Sequence, residues 1–184
     1  TPGKLANEAF IDAILAEERR RGSDLNAPIE TVFLGGGTPS LLSAAHLERL
    51  CIGLRDTLDL SAVKEWSLEA NPATFGSRKA RLMQELGINR VSLGVQSFQS
   101  KTLHTLGRDH TAEDAITAYH RLREAEIKSI SLDLMFSIPG QDLASWRADL
   151  ATAVSLKPDH ISAYNLTYEE DTEFLNRHLD GELD

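Results

Sequence analysis

The sequence predicts an α/β protein with a parallel sheet, and three features of the chain indicate it. Segments with strand-like and helix-like apolar spacing alternate along the 184 residues, which favours right-handed parallel crossovers. Several strands have one aliphatic face and one small or polar face. The first strand runs directly into Gly35-Gly36-Gly37-Thr38-Pro39-Ser40, a turn whose bare backbone amides reach the end of a sheet. We therefore expect one α/β domain.

Five strands are predicted from short apolar or alternating segments that end in turn residues. They cover residues 31–35, 64–70, 90–96, 129–136 and 160–166. Proline marks two of the ends, at Asn71-Pro72 and at Pro139-Gly140. Because the chain opens on a helix, the strand expected at the start of such an order lies upstream of Thr1 or does not exist.

Helices fill the intervals between the strands. They are predicted over residues 4–21, 43–58, 77–86, 99–106, 112–126 and 143–156, with an acidic, weakly helical tail over 169–184. Ser43 and Thr111 are expected N-caps, and Asp114 completes a capping pattern with Thr111. Gly87 follows its helix at a C′ position, and the sixth helix stops before Pro158. Helices between successive strands supply the crossovers that parallel pairing needs.

Three strands present opposite faces of different chemistry. The aliphatic faces consist of Trp66, Leu68 and Ala70; Val91, Leu93 and Val95; and Ile130, Leu132 and Leu134. The opposite faces consist of Ser67 and Glu69; Ser92, Gly94 and Gln96; and Ser131, Asp133 and Met135. In a barrel or half-barrel the aliphatic face packs on the helices and the polar face lines the interior. An antiparallel sheet with its polar face in water is the alternative, which the intervening helices disfavour.

The polar face predicts a ligand site at the carboxyl ends of the strands. Glu69 and Gln96 end their strands, and the glycine turn lies at the same end, where α/β barrels hold ligands. A buried carboxylate without a partner is costly, so we expect Glu69 and Asp133 to meet a polar ligand, an arginine or water. Arg108 is the expected opposite charge, because its guanidinium can capture a carboxylate through two hydrogen bonds.

Composition excludes several classes of function. A net charge of −9 argues against a general nucleic-acid binder. The apolar runs are too short to span a bilayer and the amino terminus has no signal pattern, so we expect a cytoplasmic protein. The single cysteine, Cys51, excludes a disulfide framework and a cysteine-held cluster within these residues. Its apolar helical neighbours predict a buried packing residue.

Four motifs occur in a fixed order along the chain. They are the glycine turn over 35–40, Leu68-Glu69-Ala70-Asn71-Pro72, Gly94-Val95-Gln96-Ser97-Phe98, and the segment over 132–141 that contains Asp133. Together they resemble the radical S-adenosylmethionine (SAM) proteins related to oxygen-independent coproporphyrinogen III oxidase. The resemblance runs from about residue 5 to residue 175 and implies a parallel, partial, TIM-like (β/α)6 barrel. Residues 1–184 would form this single domain, without its first strand and without the family's C-terminal domain.

The resemblance also implies a cofactor site for S-adenosylmethionine. The turn at Gly36, Gly37 and Thr38 would receive the methionine amino group, since backbone carbonyls and the threonine hydroxyl can accept from an ammonium. Glu69 corresponds to the family's strand-end glutamate near the cofactor. No catalytic residue and no metal ligand is assigned to this chain.

The remaining cofactor contacts lie on later strands. Gln96 and Asp133 match positions that hydrogen-bond the ribose hydroxyls in the family, and Arg108 matches the arginine that pairs with the methionine carboxylate. Thr167 falls at a position that touches the cofactor in relatives.

The chain departs from the family where the cluster is held. Family members carry a Cys-x3-Cys-x2-Cys loop after the first strand, which binds a [4Fe–4S] cluster that cleaves S-adenosylmethionine to a 5′-deoxyadenosyl radical. Here Cys51 stands alone at a different place, so the chain is either truncated, which we favour, or has lost cluster chemistry. These residues alone are expected to bind no cluster and to be inactive. Phe136-Ser137-Ile138-Pro139 is a second departure, because relatives more often have a glycine before the apolar–proline pair.

Two functions occur in the family. One is a haem chaperone and the other a coproporphyrinogen III oxidative decarboxylase; the motifs and the segment over 164–172 look more like the chaperone branch. Haem or porphyrinogen, an electron donor protein and a haem-accepting protein are the implied partners. His110, the histidine closest to the predicted rim, is a candidate haem ligand. A different alternative is an ordinary α/β-barrel enzyme with Glu69 and Asp133 as acid and base.

Overall fold

The computed structural model describes residues 4–24 and 27–181. Predictions that touch residues 1–3, 25–26 and 182–184, including the end of the acidic tail, lie outside the described residues. The helices are α1 (Lys4–Arg21), α2 (Ala44–Thr57), α3 (Ser77–Glu85), α4 (Ser100–Thr105), α5 (Ala112–Glu124), α6 (Leu143–Ser155) and α7 (Glu173–Leu179). The strands are β1 (Thr31–Leu34), β2 (Glu65–Ala70), β3 (Arg90–Gln96), β4 (Ser129–Phe136) and β5 (His160–Asn165).

The five strands form one parallel sheet in chain order, β1-β2-β3-β4-β5. Each strand pairs with the next in parallel, with Leu68 opposite Val91 and Leu132 opposite Ile161 in the register. The predicted parallel α/β architecture is therefore confirmed, and the antiparallel alternative is wrong. Because every pairing in the sheet is parallel, all the carboxyl ends meet at one edge.

The aliphatic faces of β2, β3 and β4 lie in the core, as their alternation predicts. Every residue assigned to those faces is buried, from Trp66 to Leu134. Helices cover this face with residues such as Ile11, Leu47 and Met83, which are fully enclosed. Cys51 on α2 is fully buried as well, which confirms its packing role.

Helix caps follow the sequence signals. The Ser43 side chain accepts from the amide of His46, and Thr111 forms a reciprocal capping box with Asp114. Gly87 has a φ of 82°, the left-handed conformation that a C′ glycine adopts. The element boundaries lie close to those predicted.

Two short 3₁₀ turns, Pro39–Leu41 after β1 and Pro72–Thr74 after β2, are not predicted by the sequence patterns. Each begins with proline, whose fixed φ suits the first position of a helical turn. No helix in the part of the chain that the structure describes is long and apolar enough to cross a membrane.

Candidate cofactor site

A cavity of about 470 Å³ opens at the carboxyl ends of the strands. This volume lies within the ~300–1,000 Å³ range of small-molecule sites. Its lining includes Gly37, Thr38, Glu69, Gln96, Arg108, Asp133 and Thr167. Seven of the eight residues predicted for the site therefore meet at one cavity. The eighth, Gly36, lies beside it and binds the Glu69 side chain.

The glycine turn after β1 is built from three consecutive left-handed residues. Gly36, Gly37 and Thr38 have φ values of 76°, 59° and 72°. The amide of Gly36 donates to Oε2 of Glu69 over 2.9 Å, so this carboxylate ties the turn to the end of β2. A Cβ on either glycine would meet no heavy atom within 4 Å. Backbone conformation favours glycine here, and the space in front of the turn stays open.

Ser40 fastens the same turn to the one that follows β2. Its buried hydroxyl accepts from the amide of Asn71 over 3.0 Å and from Oγ1 of Thr74 over 2.6 Å. The Lys79 ammonium donates to the Ser40 carbonyl, and burial lowers the pKa of this lysine. The β1 and β2 ends of the site are thus held in one hydrogen-bonded unit.

Asp133 is oriented by two serine hydroxyls on the polar face of the sheet. Oγ of Ser92 lies 2.9 Å from Oδ1 and 2.7 Å from Oδ2, and Oγ of Ser131 lies 3.2 Å from Oδ1. An ionised carboxylate offers about four acceptor positions, so two hydroxyls leave capacity for a ligand. The arrangement favours Asp133 as a fixed acceptor of ligand hydroxyl groups.

Gln96 ends β3 with an unusual backbone. Its φ is 66°, and the register between β3 and β4 is irregular between Gly94 and Gln96. A Cβ on Gly94 would stand 3.0 Å from Nε2 of Gln96, so glycine at 94 leaves room for the folded-back amide. Gly94 and Gln96 both line the cavity.

Arg108 follows α4 and is half-buried at the cavity wall. Burial lowers the pKa of its guanidinium, and the neighbouring Asp109 opposes this shift. Across residues 4–24 and 27–181, no carboxylate lies within 4.0 Å of it. The expectation that Arg108 is the counter-charge of Glu69 or Asp133 is therefore wrong, because an amide and two hydroxyls bind those carboxylates. Arg108 keeps its charge available to a ligand carboxylate.

Thr167 lies beyond β5 on an exposed segment, where its hydroxyl donates to Oε1 of Glu169 over 2.9 Å. Seven further residues line the cavity without having been assigned to the site from the sequence, and they are Ala70, Asn71, Ser92, Gly94, Met135, Tyr164 and Asn165. Most of these stand on the predicted polar faces or directly at strand ends. The rule that identified Glu69 and Gln96 could therefore have found them.

His110 is buried and does not line the cavity. Its Nε2 lies 3.0 Å from the Val95 carbonyl, and its Nδ1 is enclosed with no hydrogen-bond partner among the described residues. Burial lowers the pKa of this imidazole, with the Val95 contact opposing. One ring nitrogen is engaged and the other enclosed, which disfavours His110 as a haem ligand. No cluster of three or more potential metal ligands occurs in the described part of the chain.

Comparison with known proteins identifies the family. The profile of the Radical SAM superfamily matches residues 7–153, which is most of the chain. The chain belongs to the radical SAM superfamily. This match confirms the family that the four sequence motifs together predict.

Within the radical SAM superfamily the chain is similar to proteins named heme chaperone HemW. It is 42% identical over 149 residues to the Escherichia coli protein, a match covering 81% of this chain and 39% of the relative. For the Bacillus subtilis protein the identity is 40% over 156 residues, covering 84% of this chain and 41% of the relative. The chain thus spans less than half the length of these relatives.

A solved structure of E. coli coproporphyrinogen III oxidase (HemN), described as a radical SAM enzyme, has the same fold. The match covers 100% of this chain and 43% of the HemN chain, with 26% sequence identity and a TM-score of 0.86. The predicted partial barrel of radical SAM type is therefore confirmed as the fold class.

Proposed function

We propose that the cavity binds S-adenosylmethionine, with its methionine end at the glycine turn and its ribose at the middle strands. The observation that carries this proposal is the guanidinium of Arg108, which has no carboxylate partner among the described residues. It shares one cavity with Asp133, whose carboxylate retains acceptor capacity. A ligand with a carboxylate, an ammonium and a diol matches this set of groups.

Each end of the ligand has residues of suitable chemistry. Arg108 would bind the methionine carboxylate, and the carbonyls of Gly36 and Gly37 with the Thr38 hydroxyl would accept from the ammonium. The Gly36 amide already donates to Glu69, and the Gly36 carbonyl is left to accept from the ammonium.

The ribose hydroxyls would donate to Asp133 and bind the amide of Gln96, with Thr167 at the edge. When bound to a reduced cluster, S-adenosylmethionine supplies the family's radical chemistry. The residues described here bind and orient it.

The iron–sulfur cluster itself does not fit the residues of this chain. Such clusters need several thiolates, and the sequence contains one cysteine. That residue, Cys51, is enclosed in the core, and burial raises the pKa of its thiol to about 11. In our proposal these residues form the SAM-binding part of a barrel, and they hold no cluster by themselves.

For the whole protein we infer a haem chaperone of the radical SAM type, with haem as ligand and an electron donor and a haem-accepting protein as partners. The relatives named heme chaperone support it at identities of 40% and 42%. The alternative is oxidative decarboxylation of coproporphyrinogen III, which the similarity to HemN supports at 26% identity. A simple acid–base enzyme is disfavoured, because the serines hold Asp133 as an acceptor.

Calorimetry with S-adenosylmethionine tests the site in this chain. Arg108→Gln removes a charge-assisted contact, so we expect affinity to fall about 10- to 100-fold. Arg78→Gln, an exposed arginine on α3, is the matched control and should leave affinity unchanged. Equal affinity of Arg108→Gln and wild type would contradict the assignment.

Haem titration and a decarboxylation assay on the full-length protein separate the two whole-protein functions. Stoichiometric haem binding without decarboxylation of coproporphyrinogen III is expected. Decarboxylation that requires S-adenosylmethionine and a reductant would instead establish the oxidase.

A further inference from the structure

Asp149 on α6 is a fully buried carboxylate that binds the segment directly after β3. Its Oδ2 accepts from Oγ of Ser97 over 2.7 Å, and its Oδ1 accepts from the amide of Phe98 over 2.7 Å. The side-chain amide of Gln99 adds a third donor at 3.3 Å. A buried carboxylate is costly without partners, and three donors compensate this one.

The segment that Asp149 binds begins one residue after Gln96, where the backbone is strained. The amide of Ser97 donates to the Val95 carbonyl over 2.8 Å, which closes a tight turn centred on Gln96. With a φ of 66° at Gln96, this turn has the uncommon γ form. A residue with a side chain pays about 1–2 kcal/mol for the left-handed region. Such strain persists only where surrounding contacts determine the conformation.

The contacts that determine it come from outside β3. Asp149 makes its shortest hydrogen bonds to Ser97 and Phe98, the two residues that follow Gln96. Oγ of Ser97 also accepts from the backbone amide of Gln99 over 3.0 Å. On the other side, Nε2 of His110 contacts the Val95 carbonyl. Contacts to the residues before and after Gln96 thus fix its backbone, while its side chain lines the cavity.

We propose that Asp149 is a positioning residue that keeps Gln96 in its left-handed turn and its amide directed at the cofactor cavity. The inference rests on the proposed function of that cavity. Asp149 does not line the cavity, so it acts through Ser97 and Phe98. A purely structural role, in which Asp149 only joins α6 to the sheet, is the competing explanation.

A double-mutant cycle between Asp149 and Gln96 distinguishes the two roles, with S-adenosylmethionine affinity measured by calorimetry on this chain. Asp149→Asn should weaken binding about 5- to 10-fold, the loss of one well-placed hydrogen bond to the ligand. In a Gln96→Ala background the same change should alter affinity by less than about twofold. Ser97→Ala removes one donor and keeps the carboxylate, and it replaces Asp149→Asn if that variant does not fold.

Asp159→Asn is the matched control. This carboxylate also accepts a backbone amide, that of Ile130 over 2.8 Å, and pairs with Arg123, but it lies at the opposite end of the sheet. We expect Asp159→Asn to lower the denaturation midpoint and to leave the affinity for S-adenosylmethionine within about twofold of wild type.

Two results would overturn the positioning role. One is wild-type affinity in Asp149→Asn, and the other is an equal loss in the wild-type and Gln96→Ala backgrounds. A wild-type chain that binds no S-adenosylmethionine would refute the proposed function of the cavity, and the positioning role with it. The affinity of the unsubstituted chain therefore separates the two failures.

Discussion

Replacing Gly36 with alanine tests whether the glycine turn depends on backbone conformation. Gly36 has a φ of 76°, and a Cβ there would meet no heavy atom within 4 Å. A steric clash therefore contributes nothing, and the whole effect comes from the left-handed region, which costs alanine about 1–2 kcal/mol. The more restricted unfolded chain of the alanine variant offsets ~0.4–1 kcal/mol of this. We expect a net loss of about 1 kcal/mol from the unfolding free energy.

A second contribution depends on whether the turn moves. If the chain relaxes, the 2.9 Å bond from the Gly36 amide to Glu69 is lost, and hydrogen bonds to charged groups are worth ~1.5–3 kcal/mol. Urea denaturation of Gly36→Ala and Gly36→Asn measures both effects. Asparagine tolerates the left-handed region, so Gly36→Asn should lose less stability than Gly36→Ala. Wild-type stability of Gly36→Ala, or a larger loss in Gly36→Asn, would show that the left-handed backbone does not determine the residue at position 36.

Three further predictions concern other groups. Cys51 should react with a thiol reagent at pH 8 only on unfolding, since burial raises its pKa to about 11; labelling of the folded chain at the unfolded rate would contradict this. Burial lowers the pKa of His110 below its unfolded value of about 6.5. Below that pH the unfolded chain binds more protons than the folded chain, so the free energy of unfolding decreases as the pH is lowered. His110→Gln should flatten this slope between pH 7 and pH 5, and superimposable pH profiles would argue against it. Ser92→Ala should weaken S-adenosylmethionine binding about 5-fold by freeing the Asp133 carboxylate, whereas Ser155→Ala, an exposed serine on α6 whose hydroxyl donates to the Thr152 carbonyl, should not.

Local patterns were sufficient to predict the sheet. Alternation along β2, β3 and β4 separates core residues such as Leu68 and Leu132 from cavity residues such as Glu69 and Asp133. Because side chains alternate strictly on a strand, the face of one residue determines the face of the next. Parallel order then brings the strand ends together without any knowledge of individual contacts.

Contacts between residues distant in sequence could not be predicted in this way. The sequence gives no sign that Asp149 differs from any other aspartate on a helix. Its proposed role depends on a hydrogen bond to Ser97, which lies 52 residues away in the sequence. Arg108 and the carboxylates were expected to pair because their charges are opposite. A backbone amide and serine hydroxyls, which carry no charge signal in the sequence, bind the carboxylates instead.

A crystal structure of this chain soaked with S-adenosylmethionine would show whether the compound binds at the carboxyl ends of the strands. We expect density in the cavity, with the methionine carboxylate within hydrogen-bond distance of Arg108 and the ribose hydroxyls against Asp133. Density at another surface, or a bound molecule whose carboxylate avoids Arg108, would contradict it.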